Sequence, residues 1–252
     1  MIRKAGTIAA ASGLLLVALA GTALAQAAPA APAAGPIVAA PAIAAPSSAV
    51  QMVVILTLVS LAPAIVLTCT CFARFVIVLS FLRTGLGTQG TPPNQILIGT
   101  ALFMTVFVMA PTYDAIHGTA VQPYLDGAMT ERQAIDAATP PVRTFLLSHT
   151  REEDLALFYE VSGAPRPTTV DEVPLRIAVP SFVLSELRTA FQMGLTVLLP
   201  FLVIDLLVAL ILTSMGMMMM PPVLVAMPLK LLVFVAVDGW HLVVESLLKG
   251  FM

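Results

Sequence analysis

The chain has 252 residues, of which 59% are hydrophobic and only 10% are charged, and its mean hydropathy is +0.98. A soluble domain carries roughly 25% charged residues, so this composition excludes an ordinary water-soluble globule and defines a membrane protein. The net charge of −2, with no basic stripe interleaved with aromatic residues, excludes nucleic acid as a partner.

Arg3 and Lys4 precede a short apolar run from Leu14 to Ala20, and Ala23-Leu24-Ala25 supplies a small-x-small site. This is the pattern of a cleaved signal peptide over residues 1–25, with Ala25 and Gln26 flanking the cut; the run is too short for the about 20 residues of a spanning anchor. Residues 26–49 are almost only Ala, Pro and a few small residues, a composition that sustains neither a helix nor a core and reads as a flexible leader. From Val50 the chain is apolar to Phe72, pauses at Arg74 and resumes to Arg83. That is one span with an amphipathic extension or one long broken helix, with Pro63 placed to kink it. The turn-rich connector "LGTQGTPPN" leads to a second apolar helix, Gln95 to Ala110, that ends at Pro111. Residues 50–112 thus form a first helical pair.

Residues 113–189 hold eleven of the 14 acids and read as a small helical domain. Thr130 with Gln133, and Thr150 with Glu153, have capping-box spacing and mark two helix starts. The second, "REEDLALFYEV", places Leu155, Phe158 and Tyr159 on one stripe and stops at Ser162-Gly163. No run alternates as a strand does. Arg74 and Arg83 lie beside the first connector without an acid between them, which suits the cytoplasmic side and puts both the mature N-terminus and this domain outside the cytoplasm.

Residues 190–252 form a second helical pair, Ala190 to Thr213 and Val223 to Leu248, joined by "SMGMMMMPP" over 214–222. Met215, Met217, Met218, Met219 and Met220 make a soft, adaptable apolar loop, and Pro221-Pro222 prevents the preceding helix from continuing. Asp205, Lys230, Asp238, His241 and Glu245 are costly in lipid, so each is expected to meet protein, water or an opposite charge. On a continuous helix the last four project at about 0°, 80°, 20° and 60°, one face. That face is either a polar seam between helices or subunits, or a proton or ion relay.

Enzymatic chemistry has no support in the residues. His117, His149 and His241 lack partners at metal-ligand spacing, and neither a glycine-rich phosphate loop nor a G-x-S-x-G elbow occurs. Cys69 and Cys71 read as small packing residues. No cofactor is expected.

Three blocks, "RFVIVLSFLRTGLGTQGTPPNQILIGTALFMTVFVMAP", "VPSFVLSELRTAFQMG" and "PFLVIDLLVALILTSMGMMMMPP" continuing into "MPLKLLVFVAVDGWHLV", together resemble the FliP family of type III secretion export-gate proteins over about residues 50–250. The resemblance implies an all-α membrane protein of about four long apolar helices, packed in a pentameric ring of its own copies with FliQ-like and FliR-like subunits. It further implies a location at the flagellar basal body in the bacterial inner membrane, with FlhA- and FlhB-like components as further partners. Unfolded flagellar proteins would pass through this gate without catalysis. By the same resemblance the methionine loops of several subunits meet as a pore gasket, and Glu186 and Lys230 match family charges for assembly or gating; Asp205 and Asp238 join them as candidate assembly or gating charges from their place in apolar helices. A Glu186–Lys230 contact follows as an expectation. The alternatives are an injectisome export gate, or an ion or proton transporter, which usually shows inverted repeats that this sequence lacks.

Overall fold

The computed structural model describes residues 48–251 except Gln89, Arg166, Thr168 and Met218. The expected signal peptide, its Ala25–Gln26 junction and nearly all of the leader lie outside the described residues. Met52–Met252 form one compact unit.

Every regular element among the described residues is helical. In chain order they are α1 (Ser48–Cys69), α2 (Phe72–Leu86) and α3 (Asn94–Ile116), then a π-helical turn (His117–Val121) into α4 (Gln122–Leu125). There follow α5 (Glu131–Ser148), α6 (Glu152–Ser162), a 3₁₀ turn (Val170–Glu172), α7 (Leu175–Ser214), α8 (Pro222–Ala236) and α9 (Gly239–Lys249). Two stretches, Asn94–Leu125 and Leu175–Ser214, are long and apolar enough to cross a membrane, and two sharply bent helix pairs bring the total to as many as four. This is an all-α membrane protein.

The first apolar stretch is a broken helix whose break lies beyond Pro63, which sits inside α1. α1 and α2 meet at 81° across Thr70 and Cys71. There the Thr70 hydroxyl turns back onto Val66 O and accepts from Phe72 N–H at 3.3 Å, so one side chain ends one ladder and starts the next. The second helix does not end at Pro111. It runs through that residue to Ile116 and on through the π-helical turn, because Val108 and Met109 pack before the proline and Ala120 is buried beyond it. That packing offsets the ladder bond a proline removes.

Of the two capping boxes, Thr130–Gln133 forms: Thr130 N–H donates to Gln133 Oε1 at 2.9 Å, and Gln133 N–H donates to the Thr130 hydroxyl at 3.5 Å. The Thr150–Glu153 box does not. The Thr150 hydroxyl instead donates back to Leu146 O at 2.7 Å, and α6 begins one residue later, with Arg151 at the N-cap position and no side-chain cap. α6 ends as expected, with Gly163 left-handed.

The third apolar helix does not begin at Ala190. α7 starts at Leu175 and runs 40 residues through Pro180 and Pro200, so the expected 189/190 border falls inside one rod. Its first half packs into the helical head with Phe145, Leu146, Tyr159 and Phe182. From Ala190 onward it packs against α2, with Ala190 and Phe201 in the core. Cys71 is buried in that second core beside Phe75, Val78 and Leu79. α2 lies parallel to α7, Arg74 level with Glu186 and Gly85 level with Phe201. Glycine permits the closeness: a Cβ on Gly85 would stand 2.6 Å from Phe201, and one on Gly194 2.5 Å from Phe81.

The fourth apolar helix is two. α8 and α9 meet at 64°, and between them Asp238 takes a left-handed conformation at φ 51. Asp and Asn tolerate that region better than other side chains, and Gly239, against whose missing Cβ the Phe234 ring lies, completes the turn.

Candidate functional site

The site is built on the α7–α8 hairpin. α7 stops in a Schellman motif: Met217 N–H reaches back to Leu212 O at 2.9 Å, Gly216 N–H to Thr213 O at 3.0 Å, and Gly216 is left-handed at φ 77. The stop is therefore the glycine. The prolines act on the other side, with Pro221 as cap and Pro222 as first residue of α8, where a missing N–H costs nothing. Around this turn Met215, Met217 and Met220 are exposed, and Met219 is 98% exposed. Long apolar side chains left exposed at a loop tip form a surface rather than a core. Met218 lies outside the described residues. Below the tip, Val208, Leu212 and Ala226 pack the two helices together.

Ten residues down α7 from Met215, about 15 Å by helix rise, the hairpin is tied by a charge. Lys230 is 3% exposed, and its Nζ donates to Asp205 Oδ2 at 2.6 Å and to Gly85 O at 2.9 Å. Gly85 O belongs to the last turn of α2, where carbonyls lack helical partners and the helix dipole favours a cation. One ammonium thus joins α7, α8 and the end of α2. The other Asp205 oxygen, Oδ1, is buried without a hydrogen-bond partner.

Glu186 does not meet Lys230 within the chain. It lies 19 residues before Asp205 on the same helix, about 28 Å along the axis. Its partner is Arg74: Arg74 Nε donates to Oε2 at 2.7 Å and Nη2 to Oε1, a two-pronged fork that leaves the residues 4% and 2% exposed. Arg74 is therefore no connector charge and carries no weight in the orientation argument. It was missed as a buried ion even though the reasoning applied to Lys230, a lone charge in an apolar run, picks it out equally well. Next to the pair a second polar group joins head and rod. The Ser185 hydroxyl donates to the buried Asp154 at 2.6 Å and accepts from Arg151 N–H at 2.9 Å, while Arg151 Nη2 donates to Gln192 Oε1 at 2.6 Å.

The single polar face expected on the fourth helix does not exist, because the bend at Asp238 breaks the 100° register. His241 is 71% exposed, and Glu245 pairs with Lys249 at 2.7 Å on the surface of α9. An Asp-Gly dipeptide is a turn signal, and "VDGW" contained it. His149 packs its ring on Phe145 and Phe251 at 4.9 and 5.0 Å. Among the described residues no three His, Cys, Asp or Glu side chains are grouped to hold a metal ion.

These features define a class: an all-helical membrane protein in which a 40-residue rod joins a polar head to an apolar hairpin with a methionine tip. Residues 55–247 match the FliP family. Over 204 residues the chain is 50% identical to the flagellar biosynthetic protein FliP of Bacillus subtilis (strain 168), covering 81% of this chain and 92% of that protein. Over 202 residues it is 50% identical to the flagellar biosynthetic protein FliP of Caulobacter vibrioides, covering 80% and 76% respectively. The FliP of Pectobacterium carotovorum is 47% identical over 203 residues, 81% of this chain and 79% of that one. The chain belongs to the FliP family, a family of flagellar biosynthetic membrane proteins.

Proposed function

We propose that this chain is a core subunit of the flagellar type III export gate. Several copies form a ring with FliQ-like and FliR-like subunits in the bacterial inner membrane, next to FlhA- and FlhB-like components. Unfolded flagellar proteins pass through the ring, and the chain catalyses no reaction. The observation that carries this reading is the outward-facing methionine tip on a hairpin that runs past the end of α2. Flexible thioethers seal around chains of varied shape, and a ring of such tips closes a pore by apolar occlusion. The broad exposed apolar surface of α3 and α7, including Phe103, Phe107, Phe191, Leu202 and Leu206, supplies faces for neighbouring subunits and lipid. Similarity to proteins named for flagellar biosynthesis favours the flagellar over the injectisome branch.

The test replaces Met217, Met219 and Met220 together with Ala, leaving Gly216 and both prolines in place. Assembly, followed by pull-down of the partner subunits, is expected to survive while cells become permeable to small ions. A fully assembled triple variant as tight as the parent would remove the gasket reading.

A further inference from the structure

The last described residues close over the buried Arg74–Glu186 pair. Gly250 continues α9 with helical dihedrals, and its carbonyl accepts from Arg74 Nη1 at 3.3 Å. A Cβ at Gly250 would stand 3.1 Å from that same nitrogen, so glycine is what lets the backbone come so near. Phe251 then lays its ring against the guanidinium, 3.8 Å from Arg74 Cζ to the ring centroid. The ring also meets Phe75 on α2 at 5.5 Å and His149 at the end of α5 at 5.0 Å. Two consecutive residues thus serve one guanidinium. Glu186 occupies the Nε and Nη2 side of the fork, Gly250 O takes Nη1, and Phe251 covers the flat face.

We infer that Gly250–Phe251 is a strap that holds Arg74 in place, sealing the buried ion pair from water and so setting how α2 crosses α7. Phe251 is a positioning residue, and it works through its π face on the cation as well as through its bulk. A buried ion pair holds two helices firmly only while both charges stay dry and fully hydrogen-bonded. The strap lies at the end of α9 and is tied back by two backbone bonds, Gly250 N–H to Ser246 O at 3.2 Å and Phe251 N–H to Leu248 O at 3.0 Å, so lifting it opens only the last turn of the helix. This concerns contacts within a single chain and stands apart from the export-gate reading.

Cys71, one turn before Arg74 and 0% exposed, is a reporter already in place. The full chain carrying Cys69→Ser, purified in detergent, is treated with a water-soluble maleimide, with labelling in denaturant as the full-reaction reference. Phe251→Ala and Phe251→Leu are expected to label Cys71 on the order of tenfold faster than the parent, the size of effect a lost desolvated cation–π contact gives. Phe251→Trp, which keeps a π face, is expected to match the parent. Parent-like protection in Phe251→Ala would overturn the strap. Equal protection in Phe251→Leu and Phe251→Trp would overturn it too, reducing Phe251 to apolar filling. Where Phe251→Ala does not fold, the Leu and Trp variants decide between these outcomes. Labelling needs no export, so the result is independent of the methionine experiment.

Discussion

Replacing Arg74 with Met separates a buried ion pair from ordinary core packing. Met has nearly the reach of the arginine stem but no charge, so the Glu186 carboxylate, 2% exposed, loses both prongs of its fork and keeps only its desolvation cost. Breaking one side of a buried pair costs about 3–5 kcal/mol. In a unit of this size each kcal/mol shifts the midpoint by about 2–4 °C, so thermal unfolding in detergent should fall by roughly 6–20 °C. Removing both charges is different in kind. Arg74→Met with Glu186→Leu leaves no orphan ion, and apolar replacements of buried pairs are often neutral or stabilising, so the double variant should recover most of the loss. A double-mutant cycle, read by circular dichroism against temperature, reports this as a large coupling energy. If Arg74→Met unfolds within about 2 °C of the parent, or if the two single losses simply add, the pair is not dry and the reasoning fails.

Lys230→Met should destabilise the same unit by about 2–3 kcal/mol, less than a fully buried pair because Asp205 is 34% exposed. The change also removes the cation that Gly85 O accepts from at the end of α2, and an unshifted melting curve would refute the brace. At Asp238, Gly should be tolerated or stabilise by up to about 1 kcal/mol, whereas Val, which pays the full left-handed penalty, should cost at least about 1–2 kcal/mol. Equal melting points for the Gly and Val variants would show that the bend does not depend on that backbone conformation.

What the sequence determined by itself was local or cumulative. Composition defined a membrane protein, because 10% charge cannot clothe a soluble surface of this length. The absence of alternation predicted helices throughout, and capping at Thr130 and termination at Gly163 were legible because each depends on residues three or four apart. Three blocks were specific enough to place the chain in its family. The sequence also marked Asp205 and Lys230 as charges that need partners, since an unpaired charge in an apolar run is expensive wherever it lies, while Glu186 was marked by the family resemblance alone. Which partners they take was decided only by the tertiary structure. Arg74 and Glu186 are 112 residues apart, Lys230 and Gly85 are 145 apart, and nothing in the intervening chain encodes either distance. The same holds for the proline positions. Pro111 is read as a helix end by a rule about single hydrogen bonds, yet α3 passes through it, as α7 passes through Pro180 and Pro200, because packing on both sides outweighs one missing bond. Conversely, the bends at Thr70–Cys71 and Asp238 break helices where apolar periodicity runs on without interruption. Periodicity reports which face a helix buries, whereas the direction of the next helix is set by one side-chain hydrogen bond or one left-handed residue, and by the core that the turn allows to close.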